Sequence, residues 1–595
     1  MSFIAELKRR NVLRAAAFYL AAVWALAQGI AQLGPSFGMP EWGTRWFVIA
    51  AVIGFPFWIA FAWFYEFTPQ GLKRESEIDR SDSISHRTGR KLDFAIIGVL
   101  AIAVVLLLTD RFVLRQGVNE QAAIAVPEKS IAVLPFANLS SDKEQEYFSD
   151  GISEDLLNLL TKIPQLQVTA RTSSFSFKGK DIAIPEIARR LRVAHVLVGS
   201  VRKAGNTVRI SAQLVDAATD TQLWSQSWDR KLDDVFAIQD EIAADVVKQL
   251  KVELLGEVPT VKPMDPKAYP LILQAQALLD QGSAPGRAQS IVVFQQALAI
   301  APNEARAWAS LGRAYFNQAL FGERAATEGA RLAKEAGNKT LEIEPGNASA
   351  LALLGRIAAD FEFDLPTAAR YYQRALELEP GNLMAVNAAG ILLMNIGRTD
   401  QALELLEYRV VHDPANPAAY NNLGNCRYVA RRWNAAIDAW RTALRLSPDY
   451  SGSHYAIGSV LLLGKHDAAG ALKEMQAEPD ELSRMLGLPN ALHAMGRTKE
   501  ADAALQAFID KYGKEQPEAV ATVYAYRGQV DAAFEWLDKA VAIGDPVLAQ
   551  AMTEPLFDSL HGDPRWTTFL RKIGYAPEQL AKIQFKVTLP EAAKP

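Results

Sequence analysis

Apolar residues are spread unevenly along the chain, and the densest runs come first. Three stretches carry no charged residue: Ala15 to Leu33, Trp46 to Tyr65 and Phe94 to Thr109. A bilayer core takes about 20 apolar residues at 1.5 Å rise, so each predicts a transmembrane helix. The spans run over about 15–33, 46–65 and 93–114, the last reaching full length only by including its charged ends. Pro56 predicts a kink in the second, and Trp42, Trp46, Trp63 and Tyr65 near its ends suit an interfacial belt. Lys8, Arg9, Arg10 and Arg14 precede the first span, and six basic residues from Lys73 to Lys91 separate the second from the third. The loop 34–45 holds only Arg45. Basic loops stay inside, so the N-terminus is expected in the cytoplasm and everything after about Leu114 beyond the membrane, in a two-membrane bacterium the periplasm. A cleaved signal peptide is the competing reading, and a third segment that fails to span would return the C-terminal bulk to the cytoplasm.

After a polar linker at 116–129 the pattern changes. Ser130 to Phe136 is a β-branched apolar run. From Asp150 to Ile163 the apolar positions Ile152, Leu156, Leu159, Leu160 and Ile163 form one helical stripe behind an acidic first turn. Leu166 to Ala170 predicts a short strand and Ile182 to Leu191 a helix with Pro185 in its opening turn. Ala194 to Arg202, Thr207 to Asp216 and Leu223 to Leu232 predict strands, the first two joined by a Gly205-Asn206 turn, before a helix from Val235 to about Leu254. The order β-α-β-α-β-β-β-α makes 130–256 a mixed α/β domain. Segments 131–142 (IAVLPFANLSSD), 147–154 (YFSDGISE), 198–202 (VGSVR) and 223–229 (LWSQSWD) resemble the FlgO-like and TolB amino-terminal-like domains of bacterial envelope proteins. The resemblance covers about Ser130 to Leu254 and implies an assembly or ligand-sensing module rather than a catalyst. Asn138, Asp150 and Glu154 are candidates for a polar site at its strand-to-helix crossover; turn and helix-cap chemistry accounts for the same residues.

Further on, helix-ending prolines recur in 301–303 (APN), 344–347 (EPGN), 379–382 (EPGN), 413–416 (DPAN) and 447–449 (SPD), at intervals of 43, 35, 34 and 34. A 34-residue helix-turn-helix period is the tetratricopeptide signature, and 308–315 (WASLGRAY) is similar to that family's first-helix element. Small residues recur one period apart at Gly390 and Gly424 and at Ala402 and Ala436. About eight helix pairs fit in 265–546, the long interval holding an insertion around Leu320 to Ala330. The rest, 547–595, is a C-terminal cap and tail. Asn387, Asn421 and Tyr455 stand one period apart on first helices, with Asn425 one turn beyond Asn421. Side-chain amides so placed can grip the backbone of an extended peptide; solvated positions or interhelical contacts explain the ladder equally well.

Composition narrows the chemistry. The 595 residues hold 63 basic and 67 acidic side chains, a net charge of -4, which gives no electrostatic case for nucleic acid. With half the residues hydrophobic and 22% charged, neither wholesale disorder nor a purely embedded transporter fits. Cys426 stands alone, so no disulfide or cysteine cluster is available, and neither an H-E-x-x-H nor a G-x-S-x-G spacing occurs. No catalytic residue, metal site or cofactor is expected. The expectation is a multidomain protein with three transmembrane helices, a mixed α/β domain and an all-α tetratricopeptide solenoid. It would be a multi-pass inner-membrane scaffold, N-terminus cytoplasmic and C-terminal domains periplasmic, in contact with the lipid bilayer and binding proteins or peptides of the envelope. The alternative is a transmembrane sensor whose α/β module detects a ligand.

Overall fold

The computed structural model describes residues 126–587 apart from 143–144, 164 and 253–258, together with 589 and scattered positions between 16 and 74. Contacts divide the chain into two units, 1–125 and 126–595. In the first, the described helical positions fall within 16–27 and 47–59, and the Tyr19 hydroxyl donates to the Ala51 carbonyl at 2.7 Å. An antiparallel pair follows, β1 (Tyr65–Thr68) and β2 (Gly71–Arg74).

Here the expected architecture is corrected. Among the described residues no helix is long and apolar enough to cross a membrane. Tyr65, expected to end the second span, opens a strand instead. The third expected span, 93–114, and most of the linker lie outside the described residues. The reading of three transmembrane helices, and with it the multi-pass inner-membrane location and the sidedness built on basic loops, is therefore withdrawn.

In the second unit β3 (Ser130–Val133) lies next to one edge of a mixed sheet. It pairs in parallel with β5 (Gln167–Val168) and with β6 (His195–Ala204), and β4 (Ala137–Asn138) extends the pairing to β6. Beyond β6, strands β7 (Thr207–Asp216) and β8 (Thr221–Lys231) continue antiparallel. A two-residue turn with Gly205 at φ +59° joins β6 to β7, the left-handed geometry that suits a tight hairpin. Helix α1 (Glu146–Thr161) begins a turn earlier than the acidic stripe suggested. The short α2 (Arg171–Phe175), unheralded by periodicity, follows β5. On one sheet face α1 and α4 (Val235–Gln249) bury Ile152, Leu156, Ile238 and Ile242 against Ile131, Val208 and Ile210. The other face packs Ala132 and Val196 on Ile187 and Leu191 of α3 (Ile184–Leu191).

Sixteen helices then form eight antiparallel pairs from Ala268 to Ile543. The first pair is α5 (Ala268–Asp280) and α6 (Ala284–Ile300), the second α7 (Ala305–Leu320) and α8 (Ala326–Ile343), the third α9 (Ala348–Asp360) and α10 (Leu365–Leu378). The long interval is absorbed mostly as helix: α7 and α8 have 16 and 18 residues against 13 and 14 in the third pair, so the insertion expected around Leu320 to Ala330 lengthens the pair's helices more than its turn. Next come α11 (Leu383–Asn395) with α12 (Thr399–His412), α13 (Pro417–Val429) with α14 (Trp433–Leu446), and α15 (Ser453–Lys465) with α16 (Ala468–Ala477). The array closes with α17 (Glu481–Ala494), α18 (Thr498–Tyr512), α19 (Pro517–Tyr526) and α20 (Val530–Ile543).

Small residues set the crossing distance within pairs. A methyl group on Gly424 would lie 2.5 Å from the Trp440 ring nitrogen, so α13 and α14 approach only because that position lacks a side chain. Three turns between pairs are built by one device. Asn347, Asn382 and Asn416 accept the amides of Ala350, Ala385 and Ala418 to cap α9, α11 and α13. Each also donates its Nδ2 to the acid three residues back, Glu344, Glu379 or Asp413, at 2.6–3.0 Å.

After α20 the chain turns back. Two short 3-10 stretches, Pro546–Gln550 and Pro555–Leu560, lead into α21 (Pro564–Lys572) and α22 (Pro577–Leu580). Phe557, Trp566, Phe569 and Phe585 share one buried core with Leu392, Leu423 and Cys426 of the central repeats. The segment expected as a cap packs on the last pair, whose Phe534, Leu537 and Ala540 share this core, and reaches the central repeats as well.

Candidate functional site

Asn421 and Asn425 lie one turn apart on α13, and Tyr455 lies on α15, the next first helix. All three line a cavity of about 240 Å³. Asn387, a period earlier on α11, is not part of this wall. Its Oδ1 accepts from Asn422 Nδ2 at 2.9 Å and ties α11 to α13. Asn425 Oδ1 accepts from Trp440 Nε1 at 3.2 Å, while the Asn421 amide makes no hydrogen bond among the described residues. Asn395, at the end of α11, completes this side, and its Oδ1 is buried without a partner.

The opposite side comes from the returning C-terminal segment, through Gln550, Thr553 and Glu554. Tyr428 Oη donates to Glu554 Oε1 at 2.6 Å, and the Leu556 amide donates to the same oxygen at 3.0 Å. Burial raises the Glu554 carboxyl above its ordinary value, although the Tyr428 hydrogen bond opposes this. Glu518, at the start of α19, is raised well above the ordinary range by burial first and then by Glu554 and Asp545. Sequence reasoning missed this half of the site. The Tyr428–Glu554 contact joins residues 126 apart, a separation that helical periodicity does not encode.

The α/β candidates resolve differently. Asn138 is held in its own turn, Oδ1 accepting from the Ser140 amide at 2.9 Å and Nδ2 donating to the Asp142 carbonyl at 3.3 Å. Asp150 and Glu154 share a face of α1, and each faces a cation: Lys178 lies 2.6 Å from Asp150 and Arg171 lies 2.9 Å from Glu154. Burial is the largest influence on both carboxyls and raises them, while those cations pull the other way. The structure thus brings Asp150 and Glu154 together in an ion-pair row and leaves Asn138 apart.

The adjacent Asp155, which the sequence did not single out, is the focus of a larger network. It accepts from Tyr269 Oη at 2.6 Å and from Gln239 Nε2 at 3.3 Å, and it pairs with Arg306. Arg171 continues to Asp280 at 3.2 Å. Tyr269, Asp280 and Arg306 belong to the first two helix pairs, so this network fastens the module to the array. A second fastening lies at the turn after α12. Ser173 Oγ donates to Asp413 Oδ1 at 2.7 Å and accepts from the Ala415 amide, and the Ala170 amide donates to the His412 carbonyl at 2.8 Å. Among the described residues no group of three or more His, Cys, Asp or Glu side chains is arranged to hold a metal ion.

Comparison with known proteins agrees with the helical half. Residues 363–417 and 387–451 match the tetratricopeptide repeat family, so this part of the helical array carries tetratricopeptide repeats. Residues 127–245 match the family described as HilA/YgeH-like transcriptional regulator, second domain. Over 186 residues the chain is 44% identical to "Putative adenylate cyclase 3" of Rhizobium meliloti strain 1021, a match covering 31% of this chain and 32% of that protein. The chain thus spans about a third of that relative's length. Among solved structures, pilF of Pseudomonas aeruginosa is 20% identical with a TM-score of 0.29, covering 35% of this chain and 91% of its own. YrrB, titled a TPR protein with an unusual peptide-binding site, is 24% identical with a TM-score of 0.22, covering 31% and 88%.

Proposed function

We propose that the chain is a scaffold whose repeat array binds an extended peptide segment of a partner protein, with the α/β module held rigidly alongside. The observation that carries this reading is the alignment of Asn421 and Tyr455, one period apart, on the wall of one cavity. A free side-chain amide there offers both a donor and an acceptor to a peptide backbone, and the aromatic ring offers apolar area. Binding, not turnover, is the activity. The test is peptide selection from a displayed library on the immobilised full chain, followed by Asn421→Ala and Asn387→Ala. Loss of one backbone-directed hydrogen bond should weaken selected peptides about tenfold for Asn421→Ala, with no fall in melting temperature. Asn387→Ala, off the wall, should leave affinity unchanged. Equal affinity for the Asn421 variant and the native chain would remove the reading.

The match of 127–245 to a domain of transcriptional regulators supports a second reading, in which the α/β module senses a ligand and the repeats pass its state to a partner. That reading requires partner binding to change when the module is loaded.

A further inference from the structure

The cavity's chemistry is lopsided. Its wall carries one carboxylate, Glu554, and no Lys, Arg or His. Both hydrogen bonds to Glu554 arrive at Oε1, and among the described residues Oε2 accepts none. Asn395 is 8% exposed, and its Oδ1, buried at the same cavity, lacks any donor. Tyr428, Trp440 and Tyr455 supply aromatic surface around these two unfilled acceptors. Glu518, 4% exposed, adds a second acid within electrostatic reach of Glu554 and Tyr455. The nearby Arg431 is turned to another partner, its Nη2 lying 2.6 Å from Asp558 Oδ1.

A site with acceptors, negative charge and aromatic rings but no cation of its own complements a positively charged hydrogen-bond donor. An anion would meet Glu554 without compensation, and a neutral donor would leave the carboxylate unpaired. The volume, room for about eight waters at ~30 Å³ each, admits an alkyl chain with a terminal charged group. We propose that this cavity binds an alkylammonium or alkylguanidinium group, its N–H donors shared between Glu554 and Asn395 and its charge set against the aromatic rings.

The group has two sources, a Lys or Arg side chain of a bound peptide or a free short diamine. The first deepens the scaffold reading and rests on it. Calorimetric titration of the full chain distinguishes them with three probes: the peptide acetyl-Ala-Ala-Lys-Ala-Ala-amide, its norleucine counterpart, and putrescine. The lysine peptide should bind about tenfold more tightly than the norleucine peptide. Glu554→Gln, which keeps the acceptor for Tyr428 but removes the charge, should erase that difference, and Asn395→Leu, similar in size but without the acceptor, should reduce it. Both variants should keep the native melting profile within a few degrees. Binding of putrescine alone, still sensitive to Glu554→Gln, would support the cation site and remove the peptide reading. Equal binding of lysine and norleucine peptides would overturn the cation site while leaving the peptide reading in place. Absence of binding by either amine, or amine binding indifferent to Glu554→Gln, would also overturn it.

Discussion

Glu518 is a buried acid that accepts no hydrogen bond among the described residues, with two more acids in range. Its folded pKa is raised above the ordinary 4.5, so the native chain holds that proton more tightly than the unfolded chain does. The group's contribution to stability is fully present below the ordinary Glu range and is lost as pH rises through the folded value. Glu518→Gln should therefore raise the melting temperature at about pH 8, and the gain should shrink as pH falls toward about 5. Thermal melts of both chains across that range check the sign. Gly424 makes the opposite case, a position with no room. Gly424→Ala should cost about 1–3 kcal/mol, because either Trp440 or the α13 backbone must shift. Denaturant midpoints measure it, and Trp440 emission should change with it. Cys426 offers little reactivity to either variant, since burial pushes its thiol up to about 12.

Among elements, the acid-Pro-x-Asn turn shows what local pattern can and cannot reveal. The prolines marked the ends of five second helices, α6, α8, α10, α12 and α14, because φ restriction and the missing N–H act on immediate neighbours, and the repeat period followed from them. The asparagines' second role, each bonding the acid three residues back, is equally local. At 447–449 the device is absent, and α15 starts at Gly452 without a side-chain cap of its own. Glu478, 1% exposed and beyond the end of α16, accepts the amides of Gly452, Tyr455 and Asp480 instead. No spacing rule points from Ser447 to Glu478, so the substitute was illegible. Glu478→Ala should cost about 2–3 kcal/mol, more than the ~1 kcal/mol expected for Asn382→Ala, because a charged acceptor serving several amides is lost. Hydrogen exchange should show the α15 N-terminus opening in the first variant only. The candidate site followed the same division: Asn421, Asn425 and Tyr455 were readable from the helical period, whereas Glu554 entered through a fold-back that no period records and Asn395 stands at a helix end outside the ladder. In the module, Asn138, Asp150 and Glu154 were noticed for their polarity, yet that polarity serves a turn and two ion pairs. Asp155 escaped notice because its partners, Tyr269 and Arg306, are 114 and 151 residues away.

At the scale of the molecule, the described module and array share apolar core as well as charge. Tyr269 and Leu273 of α5 belong to the module's own buried cluster, and Gly151 admits Leu273 where a methyl group would meet it at 2.5 Å. Melting of this unit should be one cooperative transition. Arg306→Met would leave Asp155 with neutral donors only, a loss of about 3–5 kcal/mol typical of breaking a buried pair. Differential scanning calorimetry should then resolve an earlier module transition from a later repeat transition; a single transition merely shifted downward would count against the fastening argued for Asp155.

The two returns to the central repeats have a mechanical consequence. An array of stacked pairs behaves as a spring, each junction flexing a little against the next. Here the module straps the opening pairs to the turn at Asp413, and the tail is buckled to the neighbouring pair through Tyr428 and Glu554. Coils braced at both ends against one midpoint cannot lengthen to suit guests of varied girth. Such a device selects by fit, and a tug on the tail would slacken the pocket before it stretched the coil.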